Sequence, residues 1–350
     1  MSTVVRALQV AKHVGPDDVA PSAANFCIGE LPSLDASELE EGHVHLRLTH
    51  ISIDPWYLGM IKPGLYTWLS ATPIGNVMWG TATATVTQSR FPQFKVGDVV
   101  SGFLPIQTEV RVDGATSGLA KIGTTRPSDA LSVFGGPALT AFFGLKDVAS
   151  PKAGEVVCVS AAAGSVGSIV GQLCKEYGCR VIGFAGSESK CAVMKNELGF
   201  DAAVNYKTPE LDKALASALR SFADENGEIP RVDVFWDNTG GVIADTVYEQ
   251  MGDHGRVVVC GEIASYVKGS PKGDLEKRMH AIMERRLRVE GILVSEYFAR
   301  IHEAMPTLTK LHASGKLKAR AHIVNGFDSS ISAFLGLFSG ANVGKTIVKI

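Results

Sequence analysis

The sequence predicts an α/β protein of two domains: a doubly wound parallel sheet, and a β-rich domain assembled from both ends of the chain. Three observations carry this. A chain of 350 residues has room for two domains at the usual size of about 150 each. From about residue 138, strand and helix patterns alternate, as parallel βαβ units require. Before that point the apolar runs are short and broken by Gly and Pro, with no such rhythm.

In chain order, residues 43–53 (HVHLRLTHISI) alternate polar and apolar, the pattern of a half-buried strand. Thr81–Val86, Asp98–Phe103 and Glu109–Val112 follow as short strands of a barrel or sandwich. The parallel strands are expected at Glu155–Ser160, Arg180–Gly186, Ala202–Tyr206, Arg231–Asn238, Gly255–Gly261 and Arg288–Val294. After about residue 315 the rhythm stops. Ala319–Val324, a helix around Ile331–Ser339 and a strand Thr346–Ile350 are expected to rejoin the first domain. The boundaries predicted are 1–135 with 315–350, and 136–314.

Composition narrows the function. A net charge of −2 carries no general attraction to nucleic acid or anionic membrane. No run of about 18 apolar residues suggests a membrane span. The first ten residues lack the charged, apolar and cleavage regions of a signal peptide. The six cysteines are scattered without a C-x-x-C, several in apolar stretches, so reduced thiols in a cytoplasmic protein are expected.

The sharpest motif runs from Glu155 to Gly167 (EVVCVSAAAGSVG): strand, tight turn, helix. Ala162, Gly164 and Gly167 make an A-x-G-x-x-G turn. Gly164 would let the backbone approach a pyrophosphate, and Gly167 would let the helix pack close to the sheet. The helix start would offer N–H groups and partial positive charge to the phosphates. A close-packed structural turn needing small residues is the plainer alternative. An acidic residue about 20 positions on would favour NAD. Here the second strand ends Phe184-Ala185-Gly186-Ser187, with no Asp or Glu at its end. Lys190 follows and can neutralise a 2′-phosphate, so NADPH/NADP+ is the cofactor predicted.

The chain resembles the medium-chain dehydrogenase/reductase superfamily, and within it the zinc-independent prostaglandin reductase (leukotriene B4 12-hydroxydehydrogenase) and alkenal double-bond reductase family. The likeness rests on Ala161–Gly171 (AAAGSVGSIVG), Ala185–Lys190 (AGSESK), Leu198–Thr208 (LGFDAAVNYKT), Asp237–Gly241 (DNTGG), Gly255–Tyr266 (GRVVVCGEIASY) and Asn342–Lys349 (NVGKTIVK). It implies a GroES-like catalytic domain beside a Rossmann domain. It also implies that Ser165 and Val166 join the phosphate turn, and that Gly186, Ser187, Lys190 and Tyr206 hold the 2′-phosphate end. Asn238, Cys260, Gly261 and Asn342 would sit by the cofactor, and Tyr266 would reach the nicotinamide and the substrate carbonyl. Plainer roles exist: Tyr206 as a packed strand-end ring, Asn238 as a helix cap, Asn342 as a turn residue.

One stretch departs from the family pattern. Relatives usually carry Asp-Pro-Tyr-Met-Arg; here it is Asp54-Pro55-Trp56-Tyr57-Leu58. Trp56 and Tyr57 are expected in an apolar substrate groove, with a hydrophobic inter-domain core as the alternative. No metal is expected. Cys27 is the only cysteine before the phosphate turn, and His43, His45 and His50 lack partners in sequence to complete a zinc site. The resemblance implies NADPH-dependent reduction of the C=C bond of a small α,β-unsaturated ketone or aldehyde. Hydride would pass to the β-carbon, and Tyr266 would stabilise the carbonyl oxygen. A quinone oxidoreductase and a non-catalytic NADPH-binding protein remain alternatives. Family likeness further implies a homodimer.

Overall fold

The two ends of the chain share one sheet. The N-terminal part supplies β1 (Val5–Val10), β2 (Phe26–Leu31), β3 (His43–Ser52), β4 (Trp79–Ser89), β5 (Val99–Pro105), β6 (Glu109–Asp113) and β7 (Ala120–Lys121). Two one-turn helices, α1 (Leu58–Ile61) and α2 (Pro127–Ala130), lie along it. The structure is a computed structural model that describes residues 4–15, 18–34, 36–123, 125–266 and 273–350. It divides into two units, Met1–Leu131 with Ala321–Ile350, and Ser132–Arg320.

The second unit runs α3 (Gly136–Phe143), β8 (Val156–Val159), α4 (Ser165–Glu176), β9 (Arg180–Ala185), α5 (Glu188–Asn196), β10 (Ala202–Asn205), α6 (Leu211–Arg220), β11 (Val232–Asp237), α7 (Gly241–Gln250), β12 (Met251–Val259), α8 (Leu275–Arg285), β13 (Arg288–Gly291) and α9 (Ile301–Ala313). The chain then returns to the first unit as β14 (Ala321–Asn325), α10 (Ser330–Ser339) and β15 (Lys345–Lys349).

In the second unit the six strands pair in parallel in the order β10-β9-β8-β11-β12-β13. This is the doubly wound order, reversing between β8 and β11. Parallel sheets need cover on both faces, and the sequence supplies it. All of β8 is buried. Val157 and Val159 feed one core with Trp236, Ile169 and Leu308, while Val156 and Cys158 feed the other with Phe235, Leu215 and Val247. All six expected strands are present. The last is corrected: it stops at Gly291, because Val294 opens a helical turn, and its four residues are exposed rather than apolar and covered.

The first unit is mainly antiparallel. Its larger sheet has the order β14-β15-β3-β4-β5-β7, with β6 also on β3, and β1 pairs β2 separately. The alternation predicted for β3 holds only in part. Val44, His45 and Leu46 are all buried, because the pairing with β4 shifts register after His45 and again after Leu48. All six cysteines are free thiols. Among the described residues no helix is long and apolar enough to cross a membrane.

Candidate functional site

Each helix–sheet unit in residues 132–320 ends its strand at the same edge, so the loops after β8, β9, β10, β11 and β12 gather there. In open α/β sheets this carboxyl edge is where ligands bind. The loops contain Ala162–Gly167, Gly186–Lys190, Tyr206, Asn238 and Cys260–Tyr266.

The turn after β8 is closed by Gly164 N donating to Ala161 O at 2.9 Å. Ala161 is left-handed, with φ +46°, a conformation alanine seldom adopts. Sequence reasoning missed it, because nothing about an alanine announces that strain. Gly167 is needed for close approach: a Cβ there would lie 2.6 Å from Ala161 O and 2.8 Å from Ala162 Cα. Both are backbone atoms that cannot step aside. Gly164 is the residue before α4, and Ser165 and Val166 open it. The first N–H groups of a helix lack intrahelical acceptors. Beside them the Ser165 hydroxyl is buried without a hydrogen-bond partner. Such an orphan at a helix start fits a pyrophosphate oxygen.

At the end of β9, Ser187 caps α5 by accepting from Lys190 N at 3.3 Å and pairs with Ser189 Oγ at 3.0 Å. Tyr206 Oη lies over Gly186, where a Cβ would come 2.8 Å from it. Lys190 is half-buried, and burial, then the nearby charge of Lys207, lowers its pKa. Two cations at one strand end favour an anionic ligand there. Lys207 is a further missed residue; its signal was its place directly after Tyr206.

The loop after β11 behaves otherwise. Asn238 Nδ2 donates to Ser160 O at 2.6 Å, and its Oδ1 accepts from Trp236 Nε1 at 3.1 Å. Its backbone N–H donates to Ser160 Oγ at 2.7 Å. The amide Nδ2 and the backbone N–H therefore hold β8 to β11 at the point where strand order reverses, while the Oδ1 bond stays within the β11 segment. The turn itself is organised by Asp237, which accepts from Ser160 Oγ, Thr239 N and Gly240 N at 2.9–3.0 Å. Burial raises the Asp237 pKa and these donors oppose that. After β12, Cys260 N and Gly261 N both donate to Asp237 O. Burial, then Asp237, pushes the Cys260 thiol up to about 12, which disfavours its thiolate at neutral pH. Tyr266 closes the helical turn Ile263–Ser265 and borders residues 267–272, which lie outside the described set.

The remaining predicted residues belong to the first unit. Asn342 Nδ2 donates to Gly344 O at 2.9 Å, within the turn before β15. Trp56 is partly exposed; it meets Tyr57 edge-on at 4.7 Å and Phe103 at 6.1 Å. Tyr57 corrects the prediction. It is 1% exposed, its hydroxyl donates to Ser52 O at 2.5 Å, and its ring stacks on Phe334, so it is core and not groove wall. Among the described residues no three His, Cys, Asp or Glu side chains are grouped to hold a metal ion.

Comparison with known proteins agrees with this architecture. A family profile described as "Zinc-binding dehydrogenase" matches residues 165–310, and one described as "N-terminal domain of oxidoreductase" matches 16–122. Prostaglandin reductase 1 of Mus musculus is 36% identical, over 94% of this chain and 95% of its own. The 2-alkenal reductase (NADP(+)-dependent) of Nicotiana tabacum is 32% identical, over 86% and 85%. The crystal structure of CurA in complex with NADPH from Vibrio vulnificus superposes with a TM-score of 0.87 at 32% identity, over 98% of both chains. A doubly wound sheet with a glycine-tight turn at its carboxyl edge, on a chain that also carries a separate sheet unit, defines a medium-chain type of oxidoreductase. Within that class, this chain belongs to the zinc-independent prostaglandin reductase and alkenal reductase family. The zinc in the first profile's description finds no ligand set among the described residues.

Proposed function

We propose that this protein uses NADPH to reduce the C=C bond of α,β-unsaturated ketones or aldehydes. The observation that carries the cofactor is the orphaned Ser165 hydroxyl at the start of α4, with Lys190 and Tyr206 at the neighbouring strand end. The names of the relatives supply the reaction. When bound, the reduced nicotinamide supplies a hydride. The chain's own residues do the rest. The turn 162–167 holds the pyrophosphate, and Ser187, Lys190 and Tyr206 hold the 2′-phosphate. Tyr266 donates a hydrogen bond to the substrate carbonyl oxygen as negative charge gathers there, and the α-carbon takes its proton from solvent or through Tyr266. Gly186, Cys260 and Gly261 line the cofactor's path, and Asn342 and Trp56 are assigned to cofactor and substrate contact respectively.

Two finer assignments accompany this. The exposed edge strand β13 is free to extend its sheet with a second copy, which supports a homodimer. Six free thiols support a reducing compartment, the cytoplasm.

The test is NADPH oxidation by the purified protein, with a medium-chain 2-alkenal or enone and a small quinone in parallel. Enone-dependent oxidation yielding the saturated carbonyl is expected. Turnover of the quinone alone would replace the proposal with quinone reduction. NADPH binding without turnover of either would remove catalysis of both kinds.

A further inference from the structure

Lys345, on β15, is 1% exposed, and lysine is almost never buried so fully unless paired. Its ammonium donates to the Ile53 carbonyl at 2.8 Å and to the Asp54 carboxylate. Asp54 also accepts from Ser52 Oγ at 2.5 Å. Asp54 occupies the cap position of the turn Pro55–Tyr57, with proline next, yet its side chain caps nothing. The carboxylate turns to Lys345 instead. Tyr57, at the other end of the turn, reaches back to Ser52 O, and Ile53 N donates to Thr346 O at 3.1 Å. Residues 52–57 are thus fastened at both ends. Trp56 is the partly exposed ring carried between the fastenings.

Packing alone does not call for this charge. Burial lowers the Lys345 pKa and Asp54 opposes that. Apolar side chains of similar volume often replace both members of a buried ion pair at no cost in stability. What the ammonium adds is direction: acceptors on two consecutive residues fix a backbone carbonyl and a carboxylate together. The same lysine lies three residues after Asn342, whose turn is closed on Gly344 O. One side chain therefore ties the segment of Trp56 to the segment of Asn342.

We propose that Lys345 is a positioning residue for substrate recognition, acting through Asp54 to hold the Trp56 segment in place. This rests on the enone-reductase function proposed above. The test uses Lys345→Met and Lys345→Met/Asp54→Asn, each labelled with 5-fluorotryptophan. Trp56→Phe assigns the Trp56 fluorine resonance, and Trp236 reports the integrity of the other unit. The double variant leaves no unpaired buried carboxylate, so it carries the same readouts if the single variant does not fold. The expected result is a shifted or broadened Trp56 resonance with Trp236 unmoved. With it, KM for the enone rises about tenfold or more, while kcat and the NADPH Kd stay near wild type. An unmoved Trp56 resonance in a folded variant overturns the proposal, as does a moved resonance with an unchanged enone KM. Failure of the underlying function is seen separately, as absence of enone turnover in the wild-type protein.

Discussion

The two units build their candidate sites by different means. In residues 132–320 the site is mostly backbone: a turn of small residues, a helix start and the ends of parallel strands. Its geometry follows from local spacing, with Gly167 three residues beyond Gly164. In the first unit the site segment is positioned by side chains. Lys345 and Asp54 are 291 residues apart in sequence and meet inside the domain. A backbone-built site tolerates change in its side chains but not in its glycines. A site pinned by side chains can be loosened by one charge. The two candidate sites on one chain are therefore open to different kinds of mutation.

The largest effect is expected where one donor acts on the reacting atoms. Tyr266→Phe should lower kcat by up to about 10²–10³ with little change in NADPH Kd. Full activity in steady-state assays would remove Tyr266 from the mechanism. Next, Lys190→Ala should weaken NADPH by about 10–100-fold and NADH far less, as loss of a charged hydrogen bond predicts. Equal effects on both cofactors would break the 2′-phosphate assignment.

Two substitutions compare the units as scaffolds. In the first unit, a Cβ at Gly80 would lie 1.9 Å from Tyr57 Oη. Gly80→Ala should therefore cost about 1–3 kcal/mol by overpacking. Adding Tyr57→Phe should recover part of it in a double-mutant cycle of denaturant melts, by removing the clashing oxygen. In the second, Asn238→Ala should cost about 1–3 kcal/mol by orphaning buried partners, lowering Tm and leaving NADPH Kd unchanged. A weakened Kd instead would make Asn238 a cofactor ligand as well as a strand tie.

The smallest effect is a pH slope. The Lys190 ammonium titrates below an ordinary lysine because burial and Lys207 disfavour its charge. A phosphate beside it favours the charged form. NADPH affinity should then fall as pH rises through the free enzyme's lowered Lys190 pKa, and Lys190→Met should flatten that slope in fluorescence titrations.

Much of this was legible in the residues. The inner parallel strands showed as apolar runs between helical stretches, because a sheet covered on both faces demands continuous apolar strands. The tight turn after β8 showed because close approach admits only small residues, and those are visible as letters. The left-handed Ala161 was not legible, since its φ is imposed by the turn around it. The exposure of β13 was equally hidden, because position at a sheet edge depends on strand order and not on the strand's own composition.

By itself, then, the sequence determined the class of fold and the choice of NADPH, both of which arise from local patterns of size, charge and periodicity. Only the tertiary structure decided that Tyr57 is core, that Asn238 ties two strands, and that Lys345 holds Asp54. Those roles depend on which side chains meet after folding, and contacts between distant residues leave no mark on either residue's neighbours in the chain.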